Sequence, residues 1–213
     1  AVTKGLDPSV PMKDSGIEWI GEIPAHWEVR KIKNIMIMAG RGTTPNYVDY
    51  SDYYVMNQAT FSKGYWDLKN IRYTSKPENS RGRVVKGDIL LASTGGGVLG
   101  KVAYYDIDEE QAFIADSHVT ILRANTERYE SKYAYYFLSI NYDLINGVLA
   151  QGATNQIELQ TDWMRSFLLP VPPLKEQKRI VSYLDQCEVL VLKSQKSLQT
   201  QVQTLKEYKT TLI

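Results

Sequence analysis

Leu168-Leu169-Pro170-Val171-Pro172-Pro173-Leu174-Lys175-Glu176-Gln177-Lys178-Arg179-Ile180-Val181-Ser182-Tyr183-Leu184-Asp185 is the stretch on which the architecture turns. Its three prolines break an apolar run, because proline lacks an N–H and resists the interior of strand or helix alike. From Lys175 onward no Gly or Pro interrupts a helix. Along that helix Leu184, Val191, Leu198, Leu205 and Leu212 recur every seventh residue, with Ile180, Cys187 and Tyr208 three or four positions away. A seven-residue apolar repeat keeps one stripe facing one partner, so this pattern predicts a coiled-coil seam. Ser194 and Gln201 interrupt it with polar groups, which weakens an isolated homodimeric zipper and leaves room for an antiparallel partner or a larger assembly. At ~1.5 Å per residue, a helix of about 38 residues is roughly 57 Å long, far more than a small domain needs for its own core.

Working upstream, Tyr53 to Met56, Ile71 to Thr74, Asp88 to Ala92, Lys101 to Tyr105 and His118 to Leu122 read as short strands, β-branched or aromatic and separated by turn residues. Phe167 to Val171 reads as a last strand before the proline hinge. From Ser131 to Leu149 the period changes to a helical one, with Tyr133, Tyr136, Phe137, Ile140, Leu144 and Ile145 on one face. Asn155 to Met164 reads as loop and turn, and Trp19 and Trp27 as packing residues. Residues 1–16, rich in Gly, Pro, Asp and Ser, read as a linker or extended arm. The expectation is α+β: a mostly β domain with a few helices over residues 17–173, then a long C-terminal coiled-coil helix over 174–213.

The chain has 213 residues, 43% hydrophobic and 23% charged, as in a water-soluble globular protein. No apolar run approaches the ~20 residues that span a bilayer, so no membrane role is expected. Cys187 is the single cysteine and has no internal partner, which fits a reducing cytoplasm. Net charge is only +1, yet its signs are segregated. Lys63, Lys69, Arg72, Lys76, Arg81, Arg83, Lys86 and Lys101 outnumber three acids between residues 63 and 101; between 102 and 130 seven acids outnumber Arg123 and Arg128. Such a chain can offer one basic surface to nucleic acid. Charges scattered over a solvated surface are the plainer alternative.

Motifs that would carry chemistry are incomplete. Gly95-Gly96-Gly97-Val98-Leu99-Gly100-Lys101 begins like a phosphate loop, but Val102 stands where Ser or Thr would hold magnesium. Asp67-Leu68-Lys69 matches half of a nuclease core without an upstream carboxylate partner. His26 and His118 are far apart and offer neither a zinc spacing nor a nucleophile–base constellation; His118 reads as a structural residue. No methyl-donor loop and no Asn/Asp-Pro-Pro-aromatic tetrapeptide is present. What remains is readout material. Fifteen Tyr residues accompany loop candidates Arg41, Thr43, Thr44, Lys63, Arg81, Arg83, Ser93, Thr94, Lys101, Gln151, Thr154, Asn155 and Gln156. Arg and Lys pair with guanine or phosphate, and Asn and Gln with adenine edges. Taken singly, each also reads as an ordinary exposed polar side chain.

The quoted stretch, Leu168 to Asp185, resembles the junction between target recognition domain and conserved helix in specificity subunits of type I restriction-modification systems. Three further stretches are similar to that family in the same order: Lys13 to Pro24 with Trp27, Gly87-Asp88-Ile89-Leu90-Leu91-Ala92-Ser93-Thr94-Gly95, and Gly152-Ala153-Thr154-Asn155-Gln156. The resemblance implies a non-catalytic DNA-reading subunit with no cofactor of its own. S-adenosylmethionine, ATP and Mg²⁺ would belong to partner subunits, a modification methyltransferase and a motor–nuclease restriction subunit. Full subunits of the family carry two recognition domains and two helices, whereas this chain has one of each. Its start at Ala1 without Met leaves open a processed or truncated piece. The resemblance therefore implies the second, C-terminal half of a longer subunit or a half-sized one pairing with its own copy, through antiparallel helices in both cases. Two other readings stand beside it, a coiled-coil adaptor with a protein-binding domain and a self-contained methyltransferase or nuclease fragment.

Overall fold

The computed structural model describes residues 1–69, 71–108, 111–149 and 159–211. Two strands organise the body. β8 (Ile89–Ala92) and β11 (Val119–Ala124) lie side by side, antiparallel, in a sheet completed by β4 (Met36–Arg41) and β9 (Val102–Tyr104), in the order β4-β11-β8-β9. Side chains alternate across a strand, and here both faces are apolar. Ile89, Leu91, Leu122 and Ala124 enter one core cluster, while Leu90, Ala92, Val119 and Ile121 enter the other. A strand buried on both faces reads as a continuous apolar run, which is why Ile89-Leu90-Leu91-Ala92 shows no polar alternation.

The second core is closed by a sheet of order β10-β6-β7-β5, built from β5 (Tyr47–Val48), β6 (Tyr53–Met56), β7 (Arg72–Thr74) and β10 (Ala112–Ala115). β10 pairs parallel with β6, a long-range match that the sequence reading missed because Ala112 to Ala115 has no turn signature tying it to a neighbour. The first core is closed by helices α1 (Ser131–Ile140), α2 (Tyr142–Leu149) and α3 (Thr161–Ser166), and by the root of α4 (Leu174–Thr211). The single helix expected over 131–149 is divided at Asn141, whose side-chain amide caps the Phe137 carbonyl at 2.7 Å. Ile140, placed on the apolar face by periodicity, is exposed beside that break. α3 begins inside the 155–164 stretch expected to be loop and turn and runs two residues past it.

Residues 1–16, read as a linker or arm, are mostly exposed but tied to the body at several points. β1 (Met12–Asp14) pairs with β2 (Glu22–Pro24), and the buried Val2 gives its carbonyl to the Tyr133 hydroxyl at 2.8 Å. Gly5 lies in left-handed backbone against Trp27, where a β-carbon would crowd Glu176. Trp27 is fully buried, and Trp19 stacks on Phe167, so both tryptophans pack as expected.

β12 (Leu168–Val171) pairs with β3 (Glu28–Lys31) and leads through Pro172-Pro173 into α4. Gln177 makes the joint. It is almost fully buried; its amide donates to the Pro172 carbonyl at 2.7 Å and its side-chain oxygen accepts the Glu130 N–H at 2.8 Å. Glu176 takes His26 at 2.7 Å, and Asp185 takes Lys132 at 3.0 Å and the Tyr136 hydroxyl at 2.5 Å. Burial, then Asp185 and Glu188, pushes the Tyr136 hydroxyl far above its ordinary range, so it stays a donor to these carboxylates. From Val191 to Lys209 every residue of the helix is exposed.

Candidate nucleic-acid interface

Register brings the ends of five strands to one edge. Thr120 of β11 stands opposite Arg41 at the end of β4, Val119 opposite Ala92 at the end of β8, and Ala115 of β10 opposite Met56 at the end of β6. The loops that follow, at 42–46, 57–60, 93–100 and 116–118, therefore converge. Gly42 and Gly82 make the closest approaches. A β-carbon at Gly42 would stand 2.1 Å from the Ala115 carbonyl, and one at Gly82 would stand 2.9 Å from the Thr43 hydroxyl. The opposite end of β8 meets the stalk joint, since the Gly87 carbonyl accepts the Ser131 hydroxyl beside Glu130. Gly87 to Thr94 thus runs from joint to loops, at most about 23 Å at ~3.3 Å per residue.

That run explains its residues. Gly87 adopts φ +92°, and the wholly buried Asp88 clamps Arg123 through two bonds, 2.7 Å from Nε and 2.8 Å from an Nη. This pairing raises the Arg123 guanidinium above its usual range. Gly95, Gly97 and Gly100 all take positive φ, so the glycine run is a strand connection rather than a phosphate loop leading into a helix.

The expected reading residues divide in four ways. Thr43, Thr44, Thr94, Arg81 and Arg83 lie at or beside the convergent loops, Thr44 and the two arginines exposed. The Arg81 and Arg83 side chains have no hydrogen-bond or ion-pair partner among the described residues. A shallow cavity of about 300 Å³ beside them is lined by Thr43, Thr44, Asn46, Lys76 and Asn79. Three candidates instead serve the body. Ser93 is fully buried, its hydroxyl 2.6 Å from that of Thr120. Arg41 donates to the carbonyls of Ser117 (3.1 Å) and Leu159 (2.9 Å), and Lys101 to that of Ser62 (3.0 Å). Lys63 is exposed but paired with Asp67 at 2.6 Å. Gln151, Thr154, Asn155 and Gln156 lie outside the described residues; Leu159, which follows them, donates its N–H to the Ser93 carbonyl at 2.8 Å.

The continuous basic strip read from residues 63 to 101 is accordingly broken up. Lys86 pairs with Asp108 at 2.6 Å, and Arg72 lies 3.3 Å over the Tyr47 ring. Sequence reasoning also passed over Gln58 and took His118 for a structural residue within a strand. His118 is exposed, in the turn before β11, with its Nδ1 2.9 Å from the Thr94 hydroxyl. Asp116 holds this turn by accepting the His118 N–H at 2.8 Å, while burial pushes its carboxyl above the ordinary range. No sequence signal distinguishes such residues, because their meeting depends on strand register.

At the other end, Ile180 is wholly buried in the body's own core and Leu184 packs against it, so the first part of the seven-residue stripe is used internally. Cys187 is half-buried. Val191, Leu198, Leu205 and Tyr208 are exposed, and Leu212 lies outside the described residues. No group of His, Cys, Asp and Glu that could hold a metal occurs among the described residues, and no described helix is long and apolar enough to cross a membrane.

Polar loops gathered at one end of a body and a long helix leaving from the other define a recognition module on a stalk. The chain belongs to the type I restriction modification DNA specificity domain family, whose pattern matches residues 24–204, body and stalk together. It is similar to the putative type I restriction enzyme MjaX specificity subunit of Methanocaldococcus jannaschii, 30% identical over 178 residues, covering 81% of this chain and 42% of that protein. The MjaVIII specificity subunit of the same organism is 26% identical over 201 residues, covering 89% of this chain and 45% of that protein. The crystal structure of the HsdS subunit from Thermoanaerobacter tengcongensis shares the fold, with a TM-score of 0.64 and 18% identity over 87% of this chain and 42% of that one. The chain thus spans less than half the length of these relatives.

Proposed function

We propose that this chain reads one half of a bipartite duplex DNA target and performs no covalent chemistry itself. The observation that carries the reading is the span of the family match, which includes both the loop-bearing body and most of α4. Arg81 and Arg83 would hold phosphates while polar groups of the convergent loops meet base edges. The exposed stripe on α4 would pair, antiparallel, with the helix of a second copy or of a second recognition half, so that helix length sets the spacing between half-sites. Modification subunits docked on this scaffold would bring the methyl donor and flip the base; a restriction subunit would bring ATP-driven cleavage with Mg²⁺. The setting would be the cytoplasm.

Mapping methylated sites in the host, with the chain present and deleted, tests this reading. A split motif that disappears on deletion supports it, and an unchanged methylome overturns it. Removing seven residues from the exposed part of α4 should bring the half-sites closer by about three base pairs, at ~1.5 Å per helical residue and ~3.4 Å per base pair. An unchanged spacer would refute the ruler. Methyl transfer or cleavage by the purified chain alone would overturn the non-catalytic assignment.

A further inference from the structure

Three side chains far apart in sequence form a polar relay at the convergent loops. The Thr94 hydroxyl lies 2.9 Å from His118 Nδ1 and 3.4 Å from Gln58 Oε1. Its supports are rigid. Ser93, next in the chain, is locked to Thr120, and the His118 backbone is fixed on both sides, its N–H given to Asp116 and its carbonyl accepting the Ser93 N–H at 2.8 Å. Gln58 begins a single 3-10 turn, Gln58–Thr60, capped by Asn57. Its amide nitrogen occupies the space left by Gly95, where a β-carbon would stand 3.1 Å away. Groups held this firmly at a loop edge are preorganised for contact.

A threonine hydroxyl carries one proton and two lone pairs. Gln58 Oε1 can only accept, so when Thr94 donates to it the hydroxyl accepts from His118 Nδ1–H. That choice of tautomer leaves Nε2 of the exposed His118 ring as an acceptor and the Gln58 NH₂ as a donor. The pair therefore offers one donor and one acceptor, the complement of adenine, which presents the N7 acceptor and the N6 donor in the major groove. Guanine, with two acceptors there, leaves His118 Nε2 facing a lone pair.

Resting on the reading of the chain as a DNA half-site reader, we propose that Gln58, Thr94 and His118 act as one specificity-determining unit that selects an adenine in the half-site, with Thr94 as the positioning residue that sets the polarity of the other two.

The test compares host methylomes for chromosomal alleles of the full chain. Gln58→Ala, His118→Ala and Thr94→Val should each relax discrimination at the same one or two adjacent positions, about tenfold to a hundredfold, and leave the rest of the motif intact. Thr94→Ser, which keeps the hydroxyl, should retain the wild-type motif. A uniform fall in methylation with an unchanged motif, or relaxation at unrelated positions in the three variants, overturns the unit, and a guanine at the relaxed position overturns its polarity. If a variant loses all methylation, the melting temperature of the purified chain decides. A native melt with no methylation of any related site also counts against the unit, and for an unfolded variant Thr94→Val is replaced by Thr94→Ala. Failure of the underlying reading shows separately, as a methylome that does not respond to deletion of the wild-type chain.

Discussion

In the first turns of α4 Ile180 is wholly buried, Val181 nearly so, and Gln177 has both ends of its amide satisfied; in the last turns Leu198 is 59% and Leu205 68% exposed. The same apolar repeat runs through both. The root is spent on the body's own core, and the distal part has nothing among the described residues to cover it. The difference teaches that heptad spacing marks a helix that needs a partner without saying which partner. For Ile180 the partner is the chain's own β-sheet and helices. For Leu205 the described residues supply none, and a surface that fully covered it would contribute ~1.5–3 kcal/mol relative to exposure.

Substitutions along α4 can break or sharpen that contrast. The largest effect is expected of Ile180→Ala, which opens a cavity in the first core and should cost about 2–5 kcal/mol in denaturant unfolding of the chain. A cost below ~1 kcal/mol would mean that the root is less firmly seated than its burial implies. Gln177→Leu comes next. It leaves the partly buried Glu130 N–H and the buried Pro172 carbonyl without their partner, for a loss of about 2–3 kcal/mol, and loosens the angle at which stalk meets body. Leu205→Ala should change the unfolding free energy of the monomeric chain by less than ~0.5 kcal/mol while weakening association measured by sedimentation. A large monomer effect there would show that the distal turns fold back on the body, and the contrast would fail.

Much of the fold is legible where neighbours in sequence cooperate. The proline hinge, the long helix, the strands around residues 53–56, 89–92 and 119–122, and the packing of Trp19 and Trp27 all follow from local pattern. Less legible is whatever depends on pairing at a distance. β10 was missed because its parallel partner lies far upstream, and residues 1–16 passed for a linker because their contacts are to Trp27 and Tyr133. Ser93 shows the same limit at the candidate site. Its place in a polar loop motif resembles that of a reader, yet it faces Thr120 inside the sheet, while its neighbour Thr94 points to His118.

By itself the sequence determined that there is a small α+β body, that a helix of some 38 residues follows it, and that one recognition repeat of a known family spans both. These rest on local propensity, periodicity and motif order, which need no coordinates. Tertiary structure alone decided which polar side chains stand at the surface and which are consumed within. Arg41, Ser93 and Lys101 are tied to other segments, and Gln58, Thr94 and His118 are brought together. The reason is physical: the strand register that carries these loops to one edge is fixed by backbone hydrogen bonds and by two buried cores assembled from residues far apart in the chain.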